Sequence, residues 1–427
     1  MSSLLPIAVF APFAVFLLLG AAWLAGLAPT ERVAVRATQA GLGISGAGLL
    51  ALLPRFGSGG TRVHLGDWFR AGEYHFPLDL DLSRLATFPS LMAVFLLALI
   101  AHFSKRYIHR DPGFHRFFLL LNLFATGILL LFTAGSLDVL IGGWEMVGIS
   151  SVFLIAYFQH RDQPVAGGLR AFATYRACDI GLLVATVAMH RATGSASFDA
   201  IANLHGPTAT LVAFLLILAS LGKSAQFPFT GWLPRAMEGP TPSSAAFYGA
   251  LSIHAGAFLL LRSRHLLEHA PVAAWTVVAI GTLTVAQATL ASRVAADAKT
   301  ALALGAQAQV GLIFIEIGLG WDKLALWHLG AHSLLRTLEF LRAPSVLHEY
   351  HLMHAAAGGE IPETGRHFTR WIPTGLRSRL YRIALDQGQL DAAVQRWIAG
   401  SATAFADAVA GFEMRRAPVD REDAPRV

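Results

Sequence analysis

The sequence predicts an all-α integral membrane protein of about eleven transmembrane helices, the seventh broken, with cytoplasmic amphipathic helices at its carboxyl end. Three observations predict it. Of the residues, 55% are hydrophobic, 14% are charged and 28 are Phe, with a mean hydropathy of +0.54, whereas about a quarter of an ordinary soluble chain is charged. Apolar stretches of about twenty residues, long enough to cross a hydrocarbon core, recur along most of the chain. One of them closes on a lysine and two prolines, Leu221-Gly222-Lys223-Ser224-Ala225-Gln226-Phe227-Pro228-Phe229, and runs into Trp232-Leu233-Pro234-Arg235-Ala236-Met237-Glu238-Gly239-Pro240. A charge near a bilayer centre costs at least about 2.5 kcal/mol, and a helix break at that depth survives only against protein or a water-filled cavity. Lys223, Pro228 and Pro234 therefore mark an ion path.

The spans fall near 4–28, 33–53, 85–103, 115–134, 137–157, 167–190, 208–227, 243–262, 271–292, 299–319 and 322–342. The first is too long for the apolar core of a signal peptide and is followed by many like it, so it is read as a retained span. Between the second and third, residues 61–81 partly alternate (Val63, Leu65, Trp68, then Tyr74, Phe76, Leu78, Leu80), the pattern of a short extramembrane hairpin. The membrane domain covers 1–344, a cytoplasmic or interfacial tail that binds a partner covers 345–414, and the charged, Pro-containing 415–427 is expected to be disordered. Within the tail, Arg377 to Gly400 sets Leu380, Ile383, Ala384, Leu390, Val394 and Ile398 among polar residues, the pattern of an amphipathic helix on a membrane or a partner.

Basic residues orient the chain. Lys105, Arg106, Arg110 and Arg116 follow span three, Arg161 and Arg170 follow span five, the tail is rich in Arg, and the loop after span four has none. Odd-numbered loops and the carboxyl terminus then face the cytoplasm of a bacterial inner membrane, with the amino terminus outside. The net charge of +6 is scattered among apolar spans, which fits an anionic leaflet rather than nucleic acid. A single Cys178 excludes a disulfide framework, a CxxC pair and an iron-sulfur cluster built from this chain alone.

Ionisable residues inside the spans are the informative minority. Glu145 lies in Gly142-Gly143-Trp144-Glu145-Met146-Val147-Gly148, Asp179 in Arg176-Ala177-Cys178-Asp179-Ile180-Gly181, and Lys223 at the break, one on each of three successive spans. Asp138, seven positions before Glu145, shares its helix face. A carboxylate and a lysine facing each other can pair with the lysine charged, or separate with the desolvated amine giving up its proton, which is the element a proton path needs. The alternative is a static buried salt bridge that locks the helices together.

A second set comprises Lys299, Gln307, Gln309 and Glu316 on span ten, with His328, His332 and Arg336 stacked at four-residue intervals on span eleven. His328 and His332 have the spacing of a zinc pair, but no third ligand on the same element completes it, so a relay of imidazoles fits better and no metal is assigned. His254 in span eight is a lone histidine, a relay member or a satisfied core residue. His348, His351 and His354, spaced by three beyond the last span, read as interfacial.

Taken in order over about residues 60–345, the Gly-Trp-Glu-Met-Val-Gly, Arg-x-x-Asp-Ile-Gly, Gly-Lys-Ser-Ala-Gln-Phe-Pro and His328-Leu329-x-x-His332 segments resemble the antiporter-like subunits of respiratory complex I and of Mrp-type cation/proton antiporters. The resemblance implies an inverted-repeat bundle, with Glu145 and Lys223 as the coupled glutamate and channel lysine and Asp179 as the partner acid. It also implies that His328 and His332 belong to a central hydrophilic axis. Departures are Arg235 where Asp is usual, Arg336 where Lys is usual, and Tyr248 in place of a common histidine, with His254 six positions on. The complex I subunit also continues through a second broken helix that these spans do not supply. Phe340-Leu341-Arg342-Ala343-Pro344-Ser345, His348-Glu349-Tyr350-His351 and the tail from Leu380 to Trp397 are similar to the DabB-type membrane subunit of inorganic-carbon accumulation systems.

That resemblance implies a proton-conducting (or sodium-conducting) transporter subunit, not itself an enzyme, without cofactor of its own. It would couple the ion motive force to uptake of bicarbonate or CO2 by a large cytoplasmic partner resembling a zinc beta-carbonic anhydrase. Protons would load near Lys223, Glu145 would alternately pair with that lysine, and His328, His332, Lys299 and Glu316 would carry charge towards the partner. The alternative is a subunit of an Mrp-type antiporter or a complex I-like pump. Haem and iron-sulfur patterns are missing from the chain, which argues against redox chemistry here but not in a partner.

Overall fold

The computed structural model describes residues 3–27, 29–54, 60–72, 74–295, 297–357, 373–386, 392–394 and 396–397. Helices α1 (Leu4–Leu24) and α2 (Glu31–Leu52) lead to a two-stranded antiparallel hairpin, β1 (Thr61–Ala71) and β2 (Tyr74–Leu82), which pairs Thr61 with Leu82 and Ala71 with Tyr74. Then come α3 (Arg84–Tyr107), α4 (Phe114–Thr133), α5 (Leu137–Ile155), α6 (Asp162–Thr193), the short α7 (Phe198–Ala202) and α8 (Gly206–Lys223). Side-chain oxygens fix several starts: Ser83 accepts from Ala86 N–H, Ser136 from Val139 N–H and, further on, Asp297 from Thr300 N–H.

Two interrupted stretches follow. After Lys223 the chain leaves helical geometry, with Ala225 in the left-handed region (φ 51°) and a cis Phe227–Pro228 bond, and re-enters it in α9 (Trp232–Arg235), which holds Pro234. A 3₁₀ turn (Ala236–Glu238), α10 (Thr241–Ser244), a π-helical turn (Ala245–Ala250), a second 3₁₀ turn (Ser252–His254) and α11 (Ala255–Arg262) then form the most enclosed strand of the bundle, every residue of its central window being buried. The last elements are α12 (Arg264–His269), α13 (Pro271–Ser292), α14 (Ala298–Gly318), α15 (Asp322–Ala357) and α16 (Thr374–Leu385).

Among the described residues nine helical segments are long and apolar enough to cross a membrane. The expected spans two and eleven correspond to α2 and α15, which fall short of that apolarity because Glu31, Arg32 and Arg36, and then Asp322, Lys323, His328 and His332, occupy them; both pack into the bundle. Boundaries need correction in four places. Span six extends to Asp162–Thr193, span seven stops at Lys223 instead of residue 227, span eight is not one α-helix, and span eleven continues to Ala357.

Edge-to-face pairs such as Phe124–Phe247 (4.6 Å) and Phe132–Phe258 (4.7 Å) knit α4 to the interrupted strand. By contrast α1 and α13 leave most of their surface outward, as helices facing lipid do. In the tail, α16 packs on α13 and buries Ala384, while Leu376 and Ile383 on one side of it, and Tyr381 and Leu385 on the other, stay exposed. The rest of the expected 377–400 helix is described only at 392–394 and 396–397, and 415–427 lies outside the described residues, as do the side chains of His348, His351 and His354.

Candidate functional site

The break after Lys223 frees backbone groups that a membrane interior cannot hydrate, and neighbouring helices satisfy them. Trp232 Nε1–H donates to Gly222 O (3.0 Å), Gln307 Nε2–H on α14 to Ala225 O (2.5 Å) and Thr230 O (3.1 Å), and Phe227 N–H to Thr284 Oγ1 on α13 (2.9 Å). Lys223 thus ends α8 at a fixed point, fully buried (0% exposed). Its ammonium donates to Trp144 O (3.1 Å) and stands over the rings of Tyr175 (4.4 Å to the centroid) and Trp144 (5.0 Å).

Both acids are held by a residue to which the sequence reading gave no part. Arg176 donates to Glu145 Oε2 (2.5 Å) and to Asp179 Oδ2 (2.8 Å), and Trp144 Nε1–H donates to Asp179 Oδ1 (2.6 Å). A direct pair between Lys223 and either carboxylate is therefore absent among the described residues: the lysine takes the separated arrangement and the arginine the paired one. Spacing held the missed signal, since Arg176 and Asp179 are three apart on one helix and so share a face. Asp138, on the same face of α5 as Glu145, meets His190 Nε2 (3.0 Å) near the hairpin.

The histidines assemble on the other side of the interrupted strand. The Ala250 carbonyl accepts from His254 Nδ1–H (2.9 Å), so that ring presents Nε2 as the acceptor for His332 Nδ1–H (2.8 Å), and His332 Nε2 is buried and, among the described residues, without a hydrogen-bond partner. His328 sits 6.4 Å from His332 between ring centroids and bonds Glu316 Oε1 through Nδ1 (2.8 Å) and Gln309 Oε1 through Nε2 (3.0 Å). Its ring and that of His332 thus serve different partners, and among the described residues no three His, Cys, Asp or Glu gather as metal ligands. His254 is no lone residue but one end of this row, with His332 between it and His328.

Of the two other residues expected on the same axis, Lys299 lies well along α14 from the histidines, and Arg336 lies one turn from His332 with its guanidinium against Gly305 of α14. Lys299 donates to Met237 O (2.7 Å) and Gly239 O (2.9 Å) at the end of α14 opposite the hairpin, about 25 Å along the helix from Glu316 at 1.5 Å per residue. Arg336 pairs with Glu339 (2.7 Å), about one turn beyond His332. Near the lysine and histidine groups, Tyr175 Oη meets Ser252 Oγ, while Tyr248 Oη and Ser224 Oγ are buried and, among the described residues, without hydrogen-bond partners.

On the hairpin side, Arg262 at the end of α11 donates to Asp81 (2.6 Å), Ser83 Oγ and Ala134 O (3.2 Å), tying the interrupted strand to β2 and α4. Arg62 of β1 binds Asp199 through both carboxylate oxygens and holds that carboxyl below the usual range.

Residues 134–360, which carry both clusters, match the family described as NADH:quinone oxidoreductase/Mrp antiporter, transmembrane region, and residues 68–118 match the amino-terminal region of complex I chain 5. The chain belongs to that antiporter-like family. NADH-ubiquinone oxidoreductase chain 5 of Schizophyllum commune is 35% identical over 300 residues, covering 69% of this chain and 44% of that protein. The probable inorganic carbon transporter subunit DabB1 of Halothiobacillus neapolitanus is 34% identical over 292 residues, covering 66% of this chain and 52% of its own. The Mrp complex of a Dietzia species superposes with a TM-score of 0.68 at 27% identity, over 79% of this chain and 37% of that one. The chain spans about half the length of the curated relatives it matches. It is a multi-pass membrane protein with an antiporter-like bundle, and its relatives are subunits of larger assemblies.

Proposed function

We propose that this chain conducts protons through the membrane and passes the proton motive force to a cytoplasmic partner that takes up inorganic carbon. The observation that carries the conducting role is the fully buried Lys223 on a braced helix end, held by a carbonyl and two rings while both nearby acids are occupied by Arg176. An ammonium in that setting has weak compensation, so small movements of Arg176 or Glu145 change whether it keeps its proton. Onward transfer uses the Tyr175–Ser252 pair and water at the buried hydroxyls of Ser224 and Tyr248, since buried polar groups without protein partners are where internal water binds. His254, His332 and His328 then continue the path to Glu316, and Asp138–His190 serves the hairpin side, while Lys299 and Arg336 act nearer the opposite face.

The carbon-uptake role rests on similarity to the Halothiobacillus protein and on α16, which leaves Leu376, Tyr381, Ile383 and Leu385 exposed around its surface, apolar area that a partner would cover. That partner is a large subunit resembling a zinc beta-carbonic anhydrase, with the zinc in the partner and none in this chain. The comparable identity to complex I chain 5 and the Mrp superposition favour a second reading, a cation/proton antiporter or complex I-like module. Purifying the tagged chain from its native membrane, identifying what accompanies it and assaying zinc separates the two: a zinc-bearing soluble subunit supports carbon uptake, a set of redox or antiporter membrane subunits supports the second reading. Deletion from Arg377 onward should leave an inserted membrane domain that no longer carries the large subunit; a truncated chain that still does so would make the tail a mere surface anchor.

A further inference from the structure

We propose that the cleft between the start of α2 and the end of α3 binds the phosphate of an acidic phospholipid. The cleft, about 450 Å³, is lined by Thr30, Glu31, Arg32, Val35, Lys105 and His109. Its one carboxylate is already committed: Glu31 Oε2 bonds His109 Nδ1 (2.6 Å) and Oε1 accepts from Arg110 N–H (2.8 Å). Arg32 and Lys105 are exposed and, among the described residues, have no acidic partner; Arg36 and Arg106 stand outward beside them. The Thr30 hydroxyl, at the N-cap of α2, makes no capping bond. A guanidinium, an ammonium and a free hydroxyl around one cleft match a phosphate group, the arginine through its fork and the lysine as a point charge.

What makes the source a lipid is the level of the cleft. Trp23 at the end of α1 and Tyr107 at the end of α3 are exposed, and Tyr107 stacks on Phe103 (5.5 Å), an aromatic belt of the kind that lies at a membrane–water boundary. Exposed Leu24, Leu27 and Val33 surround the same helix ends and offer acyl chains the apolar wall that a soluble anion would not use. Basic pockets between transmembrane helices at such a boundary hold acidic head groups.

Native mass spectrometry of the complex in nanodiscs of phosphatidylcholine doped with phosphatidylglycerol tests this, independently of any transport. Wild type should retain phosphatidylglycerol, and the double variant Arg32→Gln/Lys105→Gln should retain about 25-fold less of it, at about fivefold per cation removed. Glu31→Gln keeps an acceptor for Arg110 N–H while removing the negative charge, and should raise retention, a gain that a damaged fold could not give. Added inorganic phosphate should leave retention unchanged. Equal retention by a monodisperse double variant, no gain in Glu31→Gln, or displacement of the lipid by inorganic phosphate would each overturn the assignment.

Discussion

The two interruptions at the centre of this bundle differ in how they are held. After Lys223, local turns close part of the backbone, Gln226 N–H bonding Leu221 O and Phe229 N–H bonding Gln226 O, but other freed groups are bound by side chains from elsewhere: Gln307, Thr284 and Trp232 each take one or two. At the π-helical turn before His254 the chain closes on itself, Leu251 N–H bonding Ala246 O and the His254 side chain bonding Ala250 O, while among the described residues the hydroxyls of Ser244 and Tyr248, like that of Ser224 beside Lys223, are left without partners. An externally braced break suits a site that must hold one charge in one place. A turn closed on its own chain, without side chains from elsewhere on its backbone among the described residues, suits a segment along which water and protons move.

The largest effect should come from the braced break. Lys223→Ala should abolish ion-coupled transport by the native complex while leaving the chain in the membrane, because the amine goes but its bracing stays. Lys223→Arg should fail as well, since arginine does not give up its proton in a protein. Transport by a stable Lys223→Ala complex at the wild-type rate would show that the break is only architecture. On the other side of the comparison, His254→Gln retains an amide to face His332 and should slow transport without stopping it.

Next in size is the arginine clamp. Glu145→Gln should impair coupling strongly and Asp179→Asn less so, both read as transport by assembled complexes. Arg176→Gln releases two carboxylates at once, of which Asp179 is nearly buried; with Arg176 itself 40% exposed, a loss of about 1–2 kcal/mol is expected, less than the 3–5 typical of a fully buried pair. If Glu145→Gln and Asp179→Asn lower assembly and spare transport, the cluster is a static lock.

These residues also show what was legible in the sequence. Proline and a charge in an apolar run announce a break, so Lys223, Pro228 and Pro234 stood out, whereas the π-helical turn has no proline and no charge and is read as part of an ordinary span. Four-residue spacing put His328 and His332 on one face, but only the fold could show that His254, 78 positions away, meets His332. Periodicity likewise placed Asp138 and Glu145 together and could not say that an arginine rather than the lysine would hold the acids. Lys299 and Glu316 share a helix, yet its length keeps them at opposite ends.

A smaller effect, on stability alone, should follow from removing the brace. Gln307→Leu keeps the bulk of the side chain but leaves Ala225 O and Thr230 O buried and unbonded, costing about 2 kcal/mol or more. The thermal midpoint of the purified protein should fall accordingly. An unchanged midpoint would mean that water replaces the amide as well there as at the π-helical turn, and the contrast between the two interruptions would vanish.

The smallest effects come from filling the space beside each interruption with one methyl group. A Cβ on Gly222, one residue before Lys223, would lie 2.5 Å from Cys178 Cβ and 2.8 Å from its sulfur, both on the facing helix α6, so either α6 or α8 must move. Overpacking of that kind costs about 1–3 kcal/mol, only partly offset by the better helix propensity of alanine. A Cβ on Gly249 in the π-helical turn would meet Phe340 Cδ2 at 3.0 Å and the Arg336 backbone at 3.2 Å, contacts that a few tenths of an ångström relieve. There the propensity gain of up to about 1 kcal/mol roughly balances the crowding. Gly222→Ala should therefore lower the thermal midpoint measurably and Gly249→Ala hardly at all. The reverse order would mean that the π-helical turn is the rigid element and the proline-marked break the yielding one.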